Sequence, residues 1–161
     1  MGVAVARNTA LKQASGEYIL FMDSDDFLEK ECLYNSYNLS KSNSLDLLMF
    51  KLINFDENTF KKVKSRYFDM KFLKKAVGDN VFNWRDIKHR LFDISVTAPG
   101  KLFKRDLIEN IDFPEGLIFE DNVFFIQSFL NAKRVMFLDE YGYVRRLRSD
   151  SIINSYYGSV Q

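Results

Sequence analysis

The chain has 161 residues, 47% of them hydrophobic and 28% charged, a size that supports one buried core and argues against two. Its 23 basic and 22 acidic side chains nearly cancel, which excludes the one-signed field by which a domain holds a nucleic-acid backbone or an anionic membrane on charge alone. The single cysteine, Cys32, rules out an internal disulfide and a multi-cysteine zinc site and suits a reducing cytoplasm.

In chain order, Met1-Gly2 invites a myristoylation reading, but Ala6 stands where that signal needs Ser or Thr. No apolar run reaches the roughly 20 residues that cross a bilayer. Ala6, Ala10, Leu11 and Ala14 recur at helical spacing and predict a short buried helix over 6–14, closed by Gly16 as a C-terminal cap. Tyr18-Ile19-Leu20-Phe21-Met22 is apolar without alternation, the pattern of a strand covered on both faces in a parallel sheet. It ends in Asp23-Ser24-Asp25-Asp26. A helix follows over 28–39 and a Leu-, Ile- and Phe-rich strand over 46–55, an alternation that indicates an α/β fold.

Residues 57–93 are less regular. The basic stretch 61–66 is expected to be a solvated charged face, and helical pieces are predicted over 72–77 and 84–92. Then come a strand at Lys101-Leu102-Phe103, a short helix over 105–109, a turn at Pro114-Glu115-Gly116 and a helix over 120–131. Val135–Leu138 reads as a strand, and Tyr141–Arg148 as an extended tail. The 16 Phe and 8 Tyr imply a well-filled aromatic core, with some rings left at the surface.

Chemistry concentrates in a few places. Three carboxylates crowded at the carboxyl end of a buried strand, where open α/β sheets bind ligands, repel one another unless a cation or protons compensate. Hard oxygen donors suit Mn²⁺ or Mg²⁺, which fill remaining positions with water and substrate phosphate. Asp26 is also placed to cap the next helix. A strand ending in DxD is shared with haloacid-dehalogenase phosphatases, but Asp26-Phe27 stands where their Gly-Thr or Gly-Val pair belongs.

Glu120-Asp121 opens a helix whose N-terminus favours ionised carboxylates, and Asp121 lies on the side of Phe124 and Phe125, where it could accept a proton from a hydroxyl. Arg7-Asn8, in the first predicted turn of the helix before the DxD strand, could bind phosphate. Arg145, Arg146 and Arg148 could clamp a diphosphate. His89 and Trp84 have no evident partner.

Taken together, Ala6-Arg7-Asn8, Ala14-Ser15-Gly16-Glu17-Tyr18-Ile19 and Phe21-Met22-Asp23-Ser24-Asp25-Asp26 closely resemble the central block of family-2 glycosyltransferases with the GT-A fold. Gly100-Lys101-Leu102-Phe103-Lys104-Arg105 is similar to the family's lysine-leucine-tyrosine/phenylalanine segment. Phe113-Pro114-Glu115-Gly116 with Phe119-Glu120-Asp121 is similar to its glutamate-aspartate motif, and Tyr143-Val144-Arg145 with Ser151 to the usual end of the domain.

The resemblance implies a Rossmann-like mixed sheet with helices on both faces. Residues 1–161 would form a single domain, the C-terminal two-thirds of a glycosyltransferase catalytic domain lacking its first strands. It implies a metal on Asp25 and Asp23, with Asp121 as catalytic base. Arg7, Asn8, Asp23 and Glu120 would lie at the substrate, with Arg145 and Arg148 as further candidates for its diphosphate.

The implied reaction is inverting transfer from a nucleotide-diphosphate sugar to the hydroxyl of a glycan or lipid-linked acceptor, a non-catalytic remnant being the alternative. The implied setting is cytoplasmic, at the inner face of the membrane through the acceptor and without nucleic acid. An uncovered edge on the DxD strand further predicts self-association, with a dimer expected.

Overall fold

A computed structural model describes residues 2–147. Helix α1 (Val3–Gln13) starts earlier than alanine spacing predicts, because its buried stripe is Ala4, Asn8 and Leu11, an i, i+4, i+7 pattern with a polar residue in the middle. It ends at Ala14, whose extended backbone donates its N–H to Leu11, so Gly16 is not the cap. Strand β1 (Tyr18–Leu20) is shorter than predicted and half-buried. It pairs antiparallel with β5 (Lys101–Lys104), in the register Ile19 opposite Phe103. The expected doubly covered parallel strand is therefore a terminal strand of the sheet; Phe21 continues into the core, while Met22 is 52% exposed.

Next comes a two-residue strand, β2 (Phe27–Leu28), which takes Leu28, the expected first residue of the helix, into the sheet. Helix α2 occupies Cys32–Ser42, led by Glu31 in a left-handed conformation without a side-chain cap. Asp26 thus caps nothing there. Strand β3 (Leu47–Asp56) has seven consecutive buried residues, the signature of a central strand. Its far end turns into β4 (Lys61–Val63), fully exposed, so this part of the basic stretch is solvated as charge patterning predicts. Short helices α3 (Arg66–Asp69) and α4 (Lys71–Val77) and a 3₁₀ segment (Trp84–Asp93) precede β5 and helix α5 (Arg105–Ile108). Helix α6 (Glu120–Asn131) has its predicted bounds.

The predicted strand and tail at the C-terminal end are one strand, β6 (Val135–Leu147), parallel to β3 with register shifts around Lys51. The polar pair Asp139-Glu140 lies at this irregularity, and Gly142 follows it. A Cβ at Gly142 would come 2.7 Å from Cys32 Sγ and 2.9 Å from Phe50, so a side chain is excluded where the two strands and α2 meet.

The sheet order is β1-β5-β3-β6-β2, with β4 on the outer half of β3. Only β3 and β6 run parallel among these pairs, giving a mixed sheet with helices on both faces. One face buries Met49, Phe103 and Val135 beneath α1, α4, α5 and α6. The other buries Phe50, Leu52 and Tyr143 with Cys32 of α2 and Phe68 of α3. Phe113 and Phe124 stack at 3.8 Å, and Phe21 meets both edge-on. This cluster ties β1, α6 and the 113 segment together directly beneath the residues described next. No helix among the described residues is long and apolar enough to cross a membrane.

Candidate active site

The chain leaves β1 through Phe21 and Met22 and turns at Asp23, whose carbonyl accepts the N–H of Asp26 at 3.1 Å. Two groups of β6 hold this turn. Tyr143 Oη donates to Asp26 Oδ2 at 2.6 Å and accepts the Asp23 N–H at 3.1 Å, while the Arg146 N–H donates to Asp26 Oδ1 at 2.8 Å. Burial pushes the Asp26 carboxyl up, against the pull of these two donors. Asp26 is thereby fixed as a strut, while Asp23 and Asp25 remain partly accessible.

Arg7 closes the site from α1. Its Nη2 donates to Asp23 Oδ1 at 2.8 Å, and its Nη1 to Glu120 Oε1 at 2.8 Å and Asp121 Oδ1 at 2.9 Å. Its guanidinium carbon lies 5.3 Å from the centroid of the Phe113 ring, which backs it as a flat apolar surface backs a planar cation. Arg7, Asp23, Glu120 and Asp121 therefore form one cluster, joined across more than 110 residues of sequence.

Its electrostatics are asymmetric. Burial, the hydrogen bond with Asp121 and that residue's charge push the Glu120 carboxyl up to about 7. Burial would raise Asp121 too, but its hydrogen bond with Glu120, the Arg7 charge and the Ala98 N–H outweigh this and hold it low. Two adjacent carboxyls thus divide their proton unequally, with Asp121 the ionised member. Asp121 Oδ2 accepts the Ala98 N–H at 2.9 Å, so Arg7 and the peptide hold its two oxygens separately.

Several sequence expectations need correction. Arg7 stands in the second turn of α1, not the first, and its guanidinium is occupied by carboxylates, so no helix terminus joins it in an anion site. Asn8 is buried, and its amide is bonded on both sides to Phe113: Nδ2 donates to the carbonyl at 2.9 Å and Oδ1 accepts the N–H at 2.8 Å. It fastens α1 to the 113 segment. Glu120 is buried against Arg7. Arg145 lies over the Phe68 ring at 5.8 Å. Arg148 and Ser151 fall outside the described residues. Sequence reasoning named Tyr143 only within the Tyr143-Val144-Arg145 segment and missed it as the anchor of the Asp turn, since nothing local points to Asp26.

Among the described residues no group of three or more His, Cys, Asp or Glu is arranged as a complete metal cage. Mg²⁺ and Mn²⁺ commonly take one or two carboxylates and complete their shell with water and phosphate. Asp23, with its side chain 43% exposed and one oxygen on Arg7, and half-buried Asp25 fit that mode of binding.

Residues 1–111 match the family described as Glycosyl transferase family 2. The chain belongs to this glycosyltransferase family. It is 34% identical over 155 residues to the poly(ribitol-phosphate) beta-glucosyltransferase of Bacillus spizizenii, covering 92% of this chain and 22% of that protein. It is 30% identical over 159 residues to the cholesterol galactosyltransferase of Borreliella burgdorferi, covering 96% of this chain and 44% of that one. The crystal structure of Staphylococcus aureus TarS 1–349 in complex with UDP-GlcNAc superposes with a TM-score of 0.69 at 30% identity, over 92% of this chain and 40% of TarS 1–349. The chain thus spans less than half the length of each of these glycosyltransferases. Its fold is that of the TarS structures, which supports the GT-A expectation and leaves no support for the phosphatase alternative.

Proposed function

We propose that this glycosyltransferase chain carries the donor-phosphate and base side of an inverting transfer from a nucleotide-diphosphate sugar to an acceptor hydroxyl, in the synthesis of a polysaccharide or cell-surface glycan. The observation that carries the reading is the Arg7 bridge, which sets Asp23 of the DxD turn and Asp121 of α6 against one guanidinium. UDP-GlcNAc in the TarS complex supports a nucleotide-sugar donor.

Asp23 and Asp25 would hold Mn²⁺ or Mg²⁺, which when bound offsets negative charge on the departing diphosphate. Asp121, ionised at neutral pH, accepts the acceptor's proton. Because Arg7 and the Ala98 N–H lower its basicity, transfer of that proton accompanies attack on the anomeric carbon and does not precede it. Glu120 holds its own proton beside Asp121 and spares the cluster a third full negative charge. Arg7 fixes the spacing of the two sides.

Calorimetry tests the donor side. Mn²⁺ should bind weakly alone and more tightly with a nucleoside diphosphate, and Asp25→Asn should weaken both; unchanged binding in that variant removes the DxD turn from the site. Asp121→Asn should cost roughly a hundredfold or more in transfer with donor affinity kept. Near-normal transfer would remove Asp121 from the chemistry. The acceptor would bring the protein to the inner face of the membrane. The outward side of β1 would favour pairing into a dimer, which light scattering at micromolar concentration can measure.

A further inference from the structure

Lys101 plays no part in the reading above. It is fully buried and sits opposite Met49 in the β3–β5 register, on the sheet face covered by α6. An ammonium in such surroundings needs partners, and a well-packed apolar residue commonly serves stability as well or better. Lys101 Nζ donates to the carbonyl of Thr97 and lies 4.6 Å from the centroid of the Phe125 ring.

The Thr97 carbonyl and the Ala98 N–H belong to one peptide group, and that N–H donates to Asp121 Oδ2. A single peptide is therefore held at both ends, by an ammonium on its oxygen and a carboxylate on its N–H. Both charges polarise it in the same sense, so each hydrogen bond strengthens the other. Phe125 lies one helical turn beyond Asp121 on α6, which lets one face of the helix present the ring to the ammonium and the carboxylate to the peptide.

We propose that Lys101 is a positioning residue for Asp121, fixing its carboxylate and keeping it ionised through the Thr97–Ala98 peptide. The geometry stands without an assigned reaction; its consequence for catalysis rests on the reading of Asp121 as the base. Burial pushes the Lys101 ammonium down to about 7 while the Asp121 charge pulls it back up, so the two groups sustain each other's charge. The other charged groups facing Asp121 are Arg7 of α1 and Glu120 of α6. Because Arg7 bonds Oδ1 and the peptide holds Oδ2, the Lys101 contribution is separable from the Arg7 one.

The test is an NMR titration of the folded protein, following the Ala98 amide proton as reporter of Asp121 and the Lys101 ammonium itself. Lys101→Met should raise the Asp121 midpoint by about one pH unit, a tenfold change in proton affinity. Reciprocity requires Asp121→Asn to lower the Lys101 midpoint by a similar amount. Asparagine retains an oxygen for the Ala98 N–H, so this second arm decides the matter if Lys101→Met does not fold.

A residue that merely fills space would leave the midpoints where they are, and unmoved midpoints overturn the proposal. Moved midpoints alongside near-normal transfer by Asp121→Asn would keep the coupling and discard the base. Unmoved midpoints with transfer abolished would do the reverse.

Discussion

Replacing Arg7 with methionine keeps much of the buried length of the side chain and removes the charge that three carboxylates share. Arg7 and Glu120 are nearly buried, with side chains 11% and 8% exposed, and Asp121 follows at 17%. Breaking a buried pair by removing one partner typically costs about 3–5 kcal/mol. The Asp23 contact, on a side chain 43% exposed, adds no more than about 1 kcal/mol. At pH 8 Glu120 lies above its titration near 7 and is mostly ionised, so the loss of the guanidinium counts in full and the expected deficit is about 3–5 kcal/mol.

The pH dependence has a definite sign. Asp121 is held low in the folded chain, so the stability it lends is present above its unfolded value and is lost as pH falls through the folded one. Glu120 is raised, so it costs stability as pH climbs from its unfolded value to about 7. Without Arg7 both carboxyls take protons more readily, and the deficit should shrink to about 1–2 kcal/mol at pH 5. Urea unfolding at the two pH values measures this. A deficit below about 1 kcal/mol at pH 8, or one equal at both pH values, would refute the view that the guanidinium is what holds these carboxylates together.

Glu120→Gln should change little at acidic pH and should flatten the decline in stability that the parent chain shows as pH rises toward 7; a decline that persists in the variant assigns the titration to another group. Tyr143→Phe removes both the donor to Asp26 and the acceptor for the Asp23 N–H, with an expected cost of about 1–3 kcal/mol. It should also weaken binding of Mn²⁺ with a nucleoside diphosphate, and calorimetry showing parent-like affinity would mean that the turn keeps its shape unaided. Asn8→Ala leaves two buried backbone groups of Phe113 without their partner and should cost about 2–4 kcal/mol in urea unfolding. A loss under about 1 kcal/mol would show that α1 and the 113 segment are held together by packing alone.

The elements legible in the sequence were those whose signal is local. Helix α6 declared itself through acidic residues at its start and phenylalanines at 124, 125 and 129, and β3 through an apolar run too long to be a surface feature. The misread ones depend on partners remote in sequence. Tyr18–Met22 looks like an interior strand because it is apolar, yet its place in the sheet is set by pairing with Lys101–Lys104, which no periodicity within five residues can reveal. Residues 141–147 look like a tail because Arg145 and Arg146 break the apolar pattern. They form a strand because β3 lies parallel beside them and Gly142 allows the close approach.

The site divides in the same way. Asp23, Asp25 and Asp121 could be named as candidates from their places at a strand end and a helix start. The side chains that govern them could not, because an arginine before a DxD strand reads equally as a phosphate binder or as a partner for carboxylates. Which it is depends on whether α6 arrives beside α1. In the folded chain α6 does arrive, and Arg7 is taken by Glu120, Asp121 and Asp23 together. This gives Arg7 carboxylate partners where its motif suggests a phosphate. On the proposed reading, a diphosphate entering at the DxD turn would meet a guanidinium already shared among acids, its attraction would come from a metal or from other cations, and Arg7 would set how far the donor side stands from Asp121.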